Sequence, residues 1–193
     1  QGRPIMQTAT AAKPVMLNGV NVTALNETVE AIKAKPEIAR FNFRVANTWM
    51  GGDRNRSTIK DFSGALSEHR LGIQAFIVDN GEPEVLLGDD AAPNPVEWLL
   101  HALVGCITTS TAYHAAAKGI RIDAISSHVD GDLDLRGFLG LSDKVRKGYS
   151  AIRVKLRVKT QADAETIEGL TAMSPVLDTV SRSVPVTVSV ETY

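Results

Sequence analysis

Hydrophobic and polar residues alternate along several stretches of the chain. "ARFNFRVANTWMGG" sets Phe41, Phe43 and Val45 against Asn42, Arg44 and Ala46. That period of two predicts a half-buried strand, stopped at Gly51-Gly52. "RSTIKDF" reads as its hairpin partner. "HRLGIQAFIVDNGEPE" reads as a further strand from about Arg70 to Val78, with a turn at Asp79-Asn80-Gly81. Strand signals recur from Ile120 through Val129 to Leu133–Leu135. "AIRVKLRVKT" sets Ile152, Val154, Leu156 and Val158 against Arg153, Lys155, Arg157 and Lys159, a strand with its cations in solvent. "VPVTVSVETY" predicts a closing strand.

Other stretches carry a helical period. Val22, Leu25, Val29 and Ile32 predict a short amphipathic helix from Asn26 to about Lys35, ended by Pro36. "NPVEWLLHALVGCITTSTAYHAAAKG" has no Asp, Glu, Lys or Arg between Trp98 and Ala117. It predicts a long helix from Pro95 to Lys118, with Asn94 as N-cap, Pro95 in the first position and Gly119 just past the end. "ADAETIEGLTAM" is a helix. "SPVLDTVSRS" is another, with Ser174 as its cap. Strands and helices come in groups rather than in alternation, so the fold class is α+β. An arm and short helix over residues 1–39 precede one domain over 40–193.

Composition narrows the picture. At 193 residues, 44% hydrophobic and 22% charged, the chain is an ordinary globular protein. Its net charge of -1 gives no basic field, so a nucleic-acid partner is not expected. One cysteine excludes an internal disulfide framework and points to a reducing cytoplasm. Gln1-Gly2 reads as a cloning remnant, and no basic segment followed by an apolar run announces a secretory signal. There is no P-loop, GxGxxG, CxxC or HExxH, so neither a cofactor nor a metal is expected.

The twenty uncharged residues of the long helix could reach across a bilayer. His101, Thr108, Thr109, Ser110, Thr111 and His114 would be costly there, so a buried helix and no membrane partner are expected. A helix apolar nearly all round must be wrapped on most sides. One small sheet covers one side, and a second copy of the chain is the simplest cover for the rest.

Cys106 lies on this helix, sharing a face with Leu99, Ala102, Leu103, Thr109, Ser110 and Tyr113. It is either a reactive thiol or a small apolar filler of a core. His101 and His114 do not share its face, so a Cys-His pair could arise only across two chains. Arg54 and Arg56, beside the Gly51-Gly52 turn, are either solvated charges or anion partners. Glu97 suits the positive end of the helix dipole and can bond His101 one turn on.

"NPVEWLLHALVGCITTSTAYHAAAKGI" resembles the central helix of the OsmC/Ohr family of osmotically inducible and organic-hydroperoxide-resistance proteins. "LTAMSPVLDTVSRSVPVTVSV" resembles the family's C-terminal segment, where Cys-Pro-Val opens a short helix. "TWMGGDRNRSTI" resembles the strand and turn that carry its arginine. The insert "DLRGFLGLSDKVRKGY" looks like a subgroup of OsmC-like proteins. The resemblance implies an entwined homodimer with sheets wrapped around central helices. It also implies a thiolate that attacks an organic hydroperoxide, aided by an Arg and a Glu, with a second cysteine closing a disulfide. Carried over, Cys106 matches the attacking cysteine, and Arg54 or Arg56 matches the arginine. The second cysteine's position holds Ser174. The glutamate's position holds Val96, with Glu97 as a possible substitute. A sulfenic acid at Cys106 would then need an external thiol reductant. The resemblance thus implies a one-cysteine peroxidase or, alternatively, a non-enzymatic dimer that binds an apolar small molecule at the subunit interface.

Overall fold

The computed structural model describes residues 13–192; of the loose arm expected over residues 1–17, residues 1–12 lie outside them, and Met16–Leu17 form a strand rather than loose chain. The first element is a small hairpin, β1 (Met16–Leu17) and β2 (Val20–Asn21), which leads straight into α1 (Val22–Ala34). This helix starts four residues earlier than its apolar period suggests. The Asn21 side chain accepts the Ala24 N–H at 3.0 Å and caps it there. None of its residues is buried.

The first sheet holds β3 (Phe41–Gly51), β4 (Arg54–Gly64), β5 (Ser67–His69) and β6 (Phe76–Asn80), all antiparallel, with β4 pairing the other three. The single strand expected over Arg70–Val78 is broken. Arg70 has φ +60, which no strand accommodates, and its guanidinium lies 4.8 Å over the Phe62 ring and 5.6 Å over Phe76. The half-burial expected of β3 is also absent within one chain, for Phe43 is 69% and Trp49 73% exposed.

α2 (Pro95–Ala117) matches the expected helix. The Asn94 side chain accepts the Val96 N–H at 2.9 Å, and Glu97 Oε2 accepts the Asn94 N–H at 2.9 Å, a reciprocal cap. At the other end Gly119, at φ +72, lets Ile120 N–H reach Ala115 O at 2.8 Å and Gly119 N–H reach Ala116 O at 3.0 Å. The second sheet follows, β7 (Ile122–Asp132) paired antiparallel with β8 (Ala151–Thr160). β7 does not continue to Leu133–Leu135. Asp134 accepts the Arg136 N–H at 3.0 Å and starts a helical turn, α3 (Leu135–Phe138). α4 (Ala164–Thr171) and α5 (Pro175–Ser181) complete the regular structure of the described residues.

The core sits where the C-terminal half of α2 meets α4 and the second sheet. Ala115, Ile167 and Leu170 are buried there, against Ile122, Leu156 and Val158. β8 alternates half-buried and exposed residues, with its four cations outward as expected. The expected closing strand does not form. Residues 184–190 carry Val184, Val186, Val188 and Val190 at 51–83% exposure, and no strand among the described residues pairs with them.

Candidate functional site

Cys106 sits at the middle of α2 on a ridge that passes from exposed to buried and out again. Leu99 is 40% exposed, Leu103 2% and Tyr113 49%. The cysteine is half-buried between these extremes. Its sulfur lies 4.0 Å from the Ser110 hydroxyl, one turn on. The neighbouring hydroxyls are taken up by the helix itself. Thr109 donates to Gly105 O at 3.0 Å, and Thr111 to Ile107 O at 2.8 Å. No histidine hydrogen-bonds the sulfur among the described residues. His101 instead meets the Trp98 ring edge-on at 5.4 Å, and Glu97 caps the helix rather than bonding His101.

Both candidate arginines are ion-paired. Arg54 holds the Asp89 carboxylate. Arg56 grips Asp79, directly opposite on β6, through Nε to Oδ1 at 2.6 Å and Nη2 to Oδ2 at 2.9 Å. The hydrogen bonds from Arg56 hold the Asp79 carboxyl below its ordinary range. Each pair is about half exposed, so solvent screens it and it contributes little to stability.

Arg54 and Arg56 line one side of the loop over residues 89–94, together with Met50, Asp79 and Ala92. Glu97, Trp98 and His101 line a second depression, which shares Ala91 and Ala92 of that loop with the first. The chain thus brings Arg54, Arg56 and Glu97 around one loop. Cys106 lies apart from them, nine residues from Glu97, or about 13 Å along the helix axis.

Several groups in this neighbourhood have no signature in the sequence pattern. The Tyr149 hydroxyl donates to Val96 O at 3.0 Å, and burial first, then Glu97, raises its pKa. The Asn94 side-chain N–H donates to the Glu82 carboxylate. The Glu82 backbone N–H donates to Asp53 Oδ2 at 3.0 Å. Burial, then the Asp53 and Glu97 charges, pushes the Glu82 carboxyl up. Ionised Glu82 therefore costs the fold stability: the cost is absent below the unfolded pKa and is fully present once pH has risen through the folded one, although the Asn94 bond favours the charged form. Glu82→Gln keeps an acceptor for Asn94 and removes that charge. It raises the melting temperature at pH 7–8 by about 1–3 °C, and the gain vanishes near pH 4, as thermal melts across that range would show. The nearness of Tyr149, Glu82 and Asn94 comes from chain crossings that no local period encodes.

Ser174 is 1% exposed, and its hydroxyl accepts the Leu177 N–H at 3.2 Å, which caps α5. Among the described residues no cluster of three His, Cys, Asp or Glu side chains could hold a metal, and no helix is long and apolar enough to cross a membrane.

A family model described as OsmC-like protein matches residues 88–189, more than half of the chain. Solved structures agree on the fold. An OsmC-like protein of Mycoplasma pneumoniae is 14% identical, with 74% of this chain and 89% of that one covered at a TM-score of 0.54. A Psychrobacter arcticus protein, described as osmotic-stress-induced and of the detoxification response, is 15% identical over 70% and 85% of the two chains, at 0.52. An OsmC-like protein of Vibrio cholerae is 13% identical over 74% and 93%, at 0.50. No curated protein matches the chain.

Proposed function

The chain belongs to the family of OsmC-like proteins, and from that premise we propose a homodimeric, cytoplasmic stress-response protein whose Cys106 reduces organic hydroperoxides with an external thiol. The domain over 40–193 would carry this activity, with 1–39 as an added arm. The supporting observation is the half-burial of Cys106. Its neighbours Leu103 and Ile107 are sealed at 2% and 3% exposure, whereas the thiol sits at the edge of the core beside one free-facing hydroxyl.

The chemistry balances with one cysteine. The thiolate attacks one peroxide oxygen, the O–O bond breaks, and the alcohol leaves after taking up a proton. Cys106 is left as a sulfenic acid. An external thiol attacks the sulfenic sulfur and expels water, forming a mixed disulfide. A second thiol releases Cys106 and carries away the disulfide. Arg54, Arg56 and Glu97 are the candidates for steadying charge at the thiol, and an arginine would have to exchange its aspartate for the thiolate.

A dimer is supported by the surface of the single chain, where Phe43, Trp49, Val184, Val186, Val188 and Val190 stand 51–83% exposed, apolar area that a second copy would cover.

The reading is tested by exposing the purified protein to tert-butyl hydroperoxide with dimedone and weighing the intact chain. One dimedone adduct, mapped to Cys106, is expected. An unmodified Cys106 would remove the peroxidase reading. A second reading rests on the engaged state of Arg54, Arg56 and Glu97, which bond Asp89, Asp79 and the Asn94 N–H and not the thiol among the described residues. In it the dimer binds an apolar small molecule at the interface. Native mass spectrometry would then show a co-purifying ligand on a protein that forms no adduct.

A further inference from the structure

The insert between β7 and β8 is a closed loop. At its base Ser150 N–H donates to Asp132 O at 2.8 Å. Leu139 N–H returns to Leu135 O and Leu141 N–H to Arg136 O, both at 2.8 Å, around Gly140 at φ +68. Gly137 is buried against the backbone of the opposite limb, where a Cβ would fall 2.3 Å from Arg146 O. The apolar limb, 135–141, and the basic limb, 144–147, are therefore packed back to back.

This well-tied loop points its apolar side chains outward. Phe138 is 71%, Leu139 59% and Leu141 70% exposed. Lys144, Arg146 and Lys147 are exposed beside them. Arg136 is neutralised by Asp134, whose carboxyl it holds down at about 2. Among the described residues Lys144, Arg146 and Lys147 form no ion pair, whereas Arg44, Arg54 and Arg56 of the first sheet each hold a carboxylate.

We propose that the insert loop docks the protein on an anionic lipid surface, with Phe138, Leu139 and Leu141 entering the interface and Lys144, Arg146 and Lys147 meeting the headgroups. Charge complementarity selects this occupant. An apolar tip rimmed by three unpaired cations against one exposed carboxylate, Asp143, is net positive, and a negatively charged bilayer surface attracts it through buried area and electrostatics together. A second copy of the chain would have to supply carboxylates to the same rim. The absence of a membrane partner was expected from α2, which concerns spanning and not this peripheral contact.

The test is co-sedimentation of the full chain with vesicles of phosphatidylcholine alone and of phosphatidylcholine with about a third phosphatidylglycerol. Binding to the anionic vesicles only is expected, and it is lost in high salt. The triple variant Lys144→Gln, Arg146→Gln, Lys147→Gln weakens it about 100-fold. Phe138→Ser with Leu141→Ser weakens it at least about tenfold. Both variants alter exposed side chains, and unchanged melting curves confirm that they fold. Equal binding to both vesicles, or to neither, overturns the proposal. So does a change of oligomeric state in the vesicle-free variants, which would make the loop a face between copies.

Discussion

Cys106→Ser stops turnover of tert-butyl hydroperoxide with dithiothreitol, by roughly three orders of magnitude or more, the scale seen when a catalytic nucleophile is removed. A serine hydroxyl is not ionised near neutral pH, and an attack by oxygen would leave no sulfenic acid for a thiol to reduce. The exchange is otherwise mild. Cys106 is half-buried, and a serine there can donate to the carbonyl one turn back, as Thr109 and Thr111 do. The melting temperature is therefore expected to move little, and the lost rate reports chemistry. Equal consumption of peroxide by both proteins would show that Cys106 is a core residue and nothing more. Ser174 sharpens the test. With its hydroxyl capping α5 from a buried position, no internal thiol rescues the sulfenic acid. Peroxide without dithiothreitol should give one turnover and then sulfinic acid on Cys106.

What the chain makes legible is what it encodes locally. α2 follows from an uncharged run bounded by Asn94-Pro95 and Gly119, and its caps form as those residues predict. Ser174-Pro175 likewise marks the start of α5. The alternation of β8 gives both its strand and its exposed face. Pairing is different, because it depends on register between distant segments. That Arg56 faces Asp79 across β4 and β6 cannot be read from either strand alone, so an arginine proposed for a thiolate is found holding an aspartate. The same holds for Tyr149 on Val96, where 53 residues separate the partners. Local competition defeated two further expectations. Asp134 turned the end of β7 into a helical turn, and Arg70 took a left-handed conformation where alternation suggested a strand.

Placing lysines at Val186 and Val188 is expected to dissociate the protein into monomers at micromolar concentration and to lower its melting temperature steeply. In the single chain both valines are at least 80% exposed, and lysine at such positions changes stability by no more than about 0.5 kcal/mol. In the proposed dimer they are buried. Val184, Val186, Val188 and Val190 present one apolar row, alternating with Pro185, Thr187 and Ser189, which is how a strand packs on a partner. Each buried valine is worth about 1.5–3 kcal/mol, and a two-fold dimer loses each one twice, so the pair removes roughly 6–12 kcal/mol. That is the size of the whole stability of a typical domain. Sedimentation velocity and thermal melts of wild type and variant separate the cases. A monomeric wild type, or a variant that stays dimeric with an unmoved melting curve, would remove the entwined dimer. A loss of both would mean that the closing strand is encoded in "VPVTVSVETY" after all, with its pairing partner in the second copy.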